Sequence, residues 1–340
     1  MKRVAVMGAG SWGTVFSMIL ADAGCEVSLW ARSSELADEI NSLRINRHYH
    51  PNLKLPEAIT ATSNPDVALA NSDLVILAVP AQTLRENLSA WALSIPKNAV
   101  VGSLIKGIEL GTAERMSEVI AEVAGISTDR VAVISGPNLA HEIAAREPAA
   151  TTVACSDEES ARRIQDACTT DYFRPYYTTD VVGVEIAGAV KNVIALANGM
   201  AVGLGYGENS QAALMTRGLA EMTRLGVALG ANPLTFAGLA GVGDLIATCQ
   251  SPLSRNRTIG EHLGQGMSVE EAQAVTLTTS EGVKSCQSIL DLAKKNNVEM
   301  PITEQVVNVI HHGRNAHDVL KAFMSRSTRA EEGIEKMEHH

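Results

Sequence analysis

The sequence predicts an α/β chain in which a mostly parallel N-terminal sheet is followed by an all-helical C-terminal domain. Three observations predict it. A β-branched run at residues 3–7 (RVAVM) leads through Gly8-Ala9-Gly10-Ser11-Trp12-Gly13 into an apolar helical pattern ending near Ala23. Short apolar runs then alternate with helical patterns, as in βαβ units. Past about residue 178 strand signals cease and only helical periodicity remains. The expected domains are therefore 1–178 and 179–340, with a charged tail after about Thr328 that frays.

At 340 residues the chain has enough material for two domains. A charged fraction of 19% and a hydrophobic fraction of 46% describe a globular chain. The net charge of −10 argues against nucleic-acid binding, though basic groups concentrated locally could still take an anionic substrate. Cys25, Cys155, Cys168, Cys249 and Cys286 contain no CxxC pair, which suits free thiols in a reducing compartment. No charge-free apolar run of about 18 residues occurs, so no membrane insertion is expected. Lys2, Arg3 and Ala21-Asp22-Ala23 imitate a secretory leader, but the glycine stretch breaks its apolar core and the chain is read as cytoplasmic. His48 and His50 have no third ligand nearby, and no metal is expected. Whether His339-His340 belong to the native chain is left open.

Taken in order, the first strand, loop and helix carry the GxGxxG spacing. Gly8 makes the tight turn, Gly10 lets a pyrophosphate approach the backbone, and Gly13 lets helix pack on strand. In that context the spacing indicates a Rossmann-type dinucleotide site. Residues 26–30 (EVSLW) read as the second strand. An acidic residue at its end would hold a ribose 2′-hydroxyl; here Arg32 and Ser33 suit a 2′-phosphate, which favours NADP(H), with NAD(H) as the alternative. Residues 73–80 (DLVILAVP), 100–105 (VVGSLI), 131–135 (VAVIS) and 151–155 (TTVAC) are further strands. Lys106 and the Gly136-Pro137-Asn138 turn fall at carboxyl ends, where such sheets bind ligands, although either could be only a turn. Four of the twelve aromatics cluster in residues 172–180 (YFRPYYTTD), and helical patterns follow at 181–203, 209–230, 268–275, 280–296, 301–312 and 316–325.

The stretch 188–203 (GAVKNVIALANGMAVG) is apolar nearly all round, so it belongs inside a protein. At 100° per residue Lys191, Asn192 and Asn198 share one narrow polar strip, with Gly188, Ala195 and Gly199 clearing space. A buried ammonium is costly, which makes Lys191 the leading catalytic candidate; a snorkelling lysine is the plainer alternative. Asp244, in GLAGVGDLIAT, reads as a helix N-cap, as a carboxylate orienting Lys191, or as both. Ser254-Arg255-Asn256-Arg257 suits a phosphate group or a solvated basic loop. Thr279 or Ser280 starts a helix, and Glu281 could reach cofactor hydroxyls. No Tyr-x-x-x-Lys occurs, so the proton-donating pair of short-chain dehydrogenases is missing.

These stretches together closely resemble the NAD(P)-dependent glycerol-3-phosphate dehydrogenases of bacteria. The match spans residues 1–325 through GAGSWGT, DLVILAVPAQ, SLIKGIE, SGPNLAHEIA, GVEIAGAVKNVIALANGM, GLAGVGDLIATC, SRNR and TTSEGV. The resemblance implies interconversion of dihydroxyacetone phosphate and sn-glycerol 3-phosphate, feeding glycerophospholipid synthesis. It implies Lys191 as proton donor and acceptor, Asp244 holding it, and Lys106 touching cofactor and substrate. Gly136, Asn138 and Asn192 would line the substrate site, with Ser254, Arg255 and Asn256 at the phosphate end. Gly8, Gly10, Ser11, Trp12, Gly13, Arg32, Tyr49, Ala140, Arg255, Thr279 and Glu281 would hold the dinucleotide, and a homodimer is implied. Asn138 replaces the Ser or Thr that relatives often carry, and residues 45–50 read INRHYH where many relatives read NPRYLP. Two rival readings are a related β-hydroxyacid dehydrogenase, against which SRNR after GVGDL argues, and a non-catalytic NADPH sensor, which has no need of a Lys–Asp pair.

Overall fold

The computed structural model describes residues 2–276 and 280–319; the expectations for Thr279, for the tail after 328 and for His339-His340 lie outside the described residues. One sheet is built from β1 (Arg3–Met7), β2 (Glu26–Trp30), β3 (Ile59–Thr62), β4 (Leu74–Leu77), β5 (Val100–Ser103), β6 (Val131–Ser135), β7 (Ala149–Cys155) and β8 (Phe173–Thr178). Their order is β3-β2-β1-β4-β5-β6-β7-β8. The first six run parallel, in the strand order of a dinucleotide-binding sheet, while β7 turns antiparallel to β6 and β8 follows β7.

Between and beside the strands lie α1 (Ser11–Asp22), α2 (Ser34–Leu43), α3 (Pro65–Leu69), α4 (Leu84–Trp91), α5 (Met116–Ala124), α6 (Ala140–Ala144) and α7 (Glu158–Cys168). From residue 181 the described chain is helical: α8 (Val181–Gly203), α9 (Glu208–Ala228), α10 (Pro233–Phe236), α11 (Asp244–Gln250), α12 (Arg255–Gly264), α13 (Val269–Thr276), α14 (Glu281–Lys295) and α15 (Pro301–His312).

The central strands are apolar throughout because helices cover both sheet faces. Val4 and Val6 join a core with Phe16 and Ile19 on one face; Ala5 and Met7 join Leu84, Leu88 and Ile120 on the other. β3 was not anticipated. It has four residues, alternates buried and solvent-facing positions, and owes its conformation to the ladder with β2. β8 lies inside the aromatic stretch and ends at Thr178, where the strand signals cease.

α8 is the axis of the helical half. Asp180 caps it, accepting from the Gly183 N–H at 2.9 Å and from the Thr235 hydroxyl at 2.6 Å. It is long and apolar enough to cross a membrane, yet 89% of its apolar window is buried inside this protein. Its closest neighbour is α12, and glycines permit the approach. A Cβ on Gly199 would lie 2.1 Å from the Arg257 carbonyl oxygen, and one on Gly260 would lie 2.2 Å from that of Leu196. Gly203 and Gly264 repeat the arrangement one turn on. A Gly260→Ala chain must therefore separate the two helices, at a cost of about 1–3 kcal/mol for overpacking. Urea unfolding should give a lower midpoint, and an unchanged midpoint would contradict so close a crossing.

Candidate active site

α8 carries Lys191 inward on the stripe formed by Val184, Gly188 and Lys191, spaced by four and three residues. Gly188 brings this stripe against the end of β6, where a Cβ would sit 2.7 Å from the Ser135 hydroxyl. The Lys191 ammonium donates to Asp244 Oδ1 at 2.6 Å and to the Thr248 hydroxyl oxygen at 2.7 Å. Thr248 donates its own proton to the Asp244 main-chain oxygen at 2.6 Å, so it offers Lys191 a lone pair. The second carboxylate oxygen of Asp244 accepts from the Lys106 ammonium at 2.6 Å. One buried carboxylate thus joins two lysines from the two halves of the chain.

Asp244 reaches this position because a π turn, Leu239–Gly243, precedes α11. A Cβ on Gly241 would fall 2.1 Å from the Phe236 carbonyl oxygen, so the turn can fold tightly onto α10. Asp244 is the first residue of α11 rather than its cap, and its side chain bonds the lysines instead of the helix N–H groups. Burial pushes the Lys191 ammonium down to about 8, with Lys106 adding to the effect and Asp244 opposing it. For Asp244, burial works upward, but the two ammonium charges outweigh it and its carboxyl sits below the ordinary range.

Lys106 follows β5 and also donates to the Gly136 carbonyl at 3.1 Å. Asn138 donates to the Thr151 hydroxyl at 2.9 Å, leaving its buried Oδ1 without a partner among the described residues. Asn192 reaches the Lys106 carbonyl at 3.4 Å and accepts from Asn256 at 2.9 Å. The Asn256 oxygen in turn accepts from the Ser280 hydroxyl and, at 3.0 Å, from the Gly282 N–H. The Ser254–Arg257 stretch is helical: Ser254 caps α12 by accepting from the Arg257 N–H at 3.3 Å, and Arg255 stands exposed in the first turn. The structure therefore brings Lys106, Gly136, Lys191, Asn192, Asp244 and Asn256 into one network. Thr248, Ser135 and Ser280 join it without having been singled out for it from the sequence. Thr248 sits four residues after Asp244, a spacing that was readable in GVGDLIAT.

Among the cofactor candidates, Gly8 to Gly13 follow the carboxyl end of β1, Arg32 that of β2, Lys106 that of β5 and Ala140 that of β6. Gly8 adopts φ +138°, where a side chain is disfavoured, and a Cβ on Gly13 would lie 1.9 Å from the Gly8 carbonyl oxygen. At Gly10 a Cβ would meet nothing within 4 Å, and α1 has no side-chain cap, so its first N–H groups face an open cradle. Trp12 turns its ring onto Phe16 and Phe173, with centroids 5.6 and 6.5 Å away. The Ser11 hydroxyl meets His50 Nε2 at 3.0 Å, a support from the INRHYH stretch that was not foreseen. Arg32 is exposed just past β2, Tyr49 is half-buried in the following loop, and Ala140 opens α6. Glu281, whose carboxyl burial pushes up, and Ser285 stand beside Gly107; Glu281 Oε2 and Ser285 Oγ are buried without partners among the described residues. The uncapped α1 N-terminus and the open space at Gly10 fit the phosphates of a dinucleotide. Among the described residues no cluster of three metal-ligating side chains occurs.

The comparisons agree with this geometry. Residues 3–161 match the family model for the N-terminus of NAD-dependent glycerol-3-phosphate dehydrogenase, and residues 180–321 match that for its C-terminus. A glycerol-3-phosphate dehydrogenase [NAD(P)+] of Streptomyces griseus is 58% identical over 329 residues, covering 97% of this chain and 98% of the relative. One from Corynebacterium diphtheriae is 56% identical over 330 residues, covering 97% of this chain and all of the relative. The crystal structure of glycerol-3-phosphate dehydrogenase from Coxiella burnetii superposes with a TM-score of 0.91 at 35% identity, covering 96% of this chain and 99% of that one. The chain belongs to the NAD-dependent glycerol-3-phosphate dehydrogenase family.

Proposed function

We propose that this chain reduces dihydroxyacetone phosphate to sn-glycerol 3-phosphate with a reduced nicotinamide dinucleotide, reversibly, supplying glycerophospholipid synthesis. Residues 1–178 would hold the dinucleotide and residues 179–340 would supply the acid. One observation carries the reading: a buried lysine with two of its three N–H bonds committed to Asp244 and Thr248. Among the described residues no acceptor takes the third, which is placed to meet a substrate oxygen. The bound reduced nicotinamide would supply the hydride to the carbonyl carbon. As negative charge develops on the carbonyl oxygen, Lys191 gives it a proton, and the neighbouring Lys106 stabilises the charge. Asp244 holds both ammonium groups in place. Its single charge against two leaves the trio net positive, which suits a phosphorylated ketone. The exposed Arg255 at the open end of α12 supports a place for the phosphate dianion, whose binding positions the carbonyl. A cytoplasmic setting suits the five buried free thiols, and the homodimer that the family resemblance implies belongs to the same proposal.

The first test follows reduced-nicotinamide absorbance with dihydroxyacetone phosphate. Lys191→Ala should lose about 10²–10⁴-fold in kcat while still binding NADPH. In the wild type the acid must be protonated, so kcat/KM for reduction should fall as pH rises through about 8, and that for oxidation should rise to a plateau there. Cofactor binding without turnover by the wild type would sink the proposal in favour of a sensor. Turnover of 3-hydroxy acids instead would favour the related dehydrogenase class.

The cofactor preference rests on Arg32, whose guanidinium suits a 2′-phosphate. Arg32→Ala should cost about tenfold in kcat/KM for NADPH, equivalent to roughly 1.4 kcal/mol, and change that for NADH less than about twofold. Equal losses with both cofactors would remove the basis for the NADP(H) preference.

A further inference from the structure

Glu185 is a buried carboxylate that the proton-transfer chemistry does not use. It lies on α8, only 2% exposed, six residues before Lys191 and so about 9 Å along the helix axis. Its partners all belong to the sheet-bearing half. Its Oε1 accepts from the Ser117 N–H at 2.7 Å; its Oε2 accepts from the Ser117 hydroxyl at 2.6 Å and from Arg115 Nη1 at 2.9 Å. Ser117 and Arg115 form the N-terminus of α5, whose dipole favours an anion there. Arg115 is itself steadied by Glu118 at 2.7 Å. Burial pushes the Glu185 carboxyl up, while Arg115 and the two Ser117 donors favour its charged form, and bonds of that charge-assisted kind are short and directional.

The helix geometry gives this contact its consequence. Glu185 and Asn192 are seven residues apart and share a stripe, and Asn192 bonds the Lys106 carbonyl on that same sheet-bearing half. Beside it runs the stripe of Val184, which packs with Val133 and Ala154 of the sheet, then Gly188, then Lys191. One polar anchor to the sheet-bearing half would leave the tilt of α8 against that half to apolar packing alone. Two anchors, separated along the axis, fix both its tilt and its rotation, and with them the place of the Lys191 ammonium relative to Lys106.

We propose that Glu185 is a positioning residue for the reduction, a clamp from α8 to the N-terminus of α5 that sets where Lys191 stands. The proposal rests on the reductase reading above. Its test is the single-turnover rate of NADPH oxidation on mixing with saturating dihydroxyacetone phosphate, together with NADPH affinity by fluorescence and the melting temperature. Glu185→Ala should slow the single turnover about 10–100-fold while the NADPH dissociation constant stays within about twofold. Glu185→Gln keeps an acceptor for the Ser117 N–H and a donor for its hydroxyl but loses Arg115, so it should recover much of that rate. Ser117→Ala, made from the other side and retaining the backbone bond, should slow it by less than about tenfold. If Glu185→Ala fails to fold, the Gln and Ser117 variants decide. Folded variants with a wild-type single-turnover rate, however much their melting temperature falls, overturn the clamp, as does a loss confined to KM. An inactive wild type would instead mean that the reductase reading has failed.

Discussion

Everything in the site depends on one buried carboxylate serving two cations. Asp244 is 1% exposed and bonds Lys106 with one oxygen and Lys191 with the other. Alone in that place it would be prohibitively costly, and so would either ammonium. Together they form a trio with one surplus positive charge, held away from water where electrostatic interactions are strong. Burial lowers the hold of Lys191 on its proton while Asp244 restores part of it, and a balance near 8 is what the proposed role, acid in one direction and base in the other, would need.

The fold exists, in large part, to make those three side chains meet. Lys106 comes from the carboxyl end of a parallel strand, Lys191 from the central helix of the other half, and Asp244 from a turn that folds back between them. Their meeting requires α8 to lie hard against the sheet on one side and against α12 on the other. Glycines at 188, 199 and 260 permit both approaches. The buried side of the site is then locked by side-chain hydrogen bonds, Asn256 to Asn192 and Ser280 to Asn256, which link α8, α12 and the start of α14. Arg32, just past β2, and Arg255, in the first turn of α12, are both exposed, and the α1 N-terminus has no side-chain cap.

Much of this was legible before any coordinates. The α8 boundaries, the strand–glycine–helix opening and the strip carrying Lys191 follow from periodicity, because a helix buried all round leaves a plain signal. β3 was not legible, since four residues with alternating threonines carry little pattern and take their conformation from β2. The whole of α12, which falls between the helical patterns at 209–230 and 268–275, hid for another reason. Ser254-Arg255-Asn256-Arg257 reads as a polar loop, and only packing of Ile259 and Leu263 against α8 makes it helix. Asp244 was legible as important but ambiguous in role, because a cap and a lysine partner look alike in one dimension. Thr248, His50 and Glu185 were harder still: each acts through a partner distant in sequence, at 57, 39 and 68 residues.

The most direct measurement of the central claim is the titration of the Lys191 ammonium itself, followed by NMR of ¹⁵N-lysine-labelled protein assigned through a Lys191→Arg variant. The shared-carboxylate account predicts a midpoint near 8 in the wild type. It predicts a clearly lower midpoint in Asp244→Asn, where burial remains but the stabilising charge is gone. A Lys191 that titrates at the ordinary lysine value, or that Asp244→Asn leaves unmoved, would contradict it.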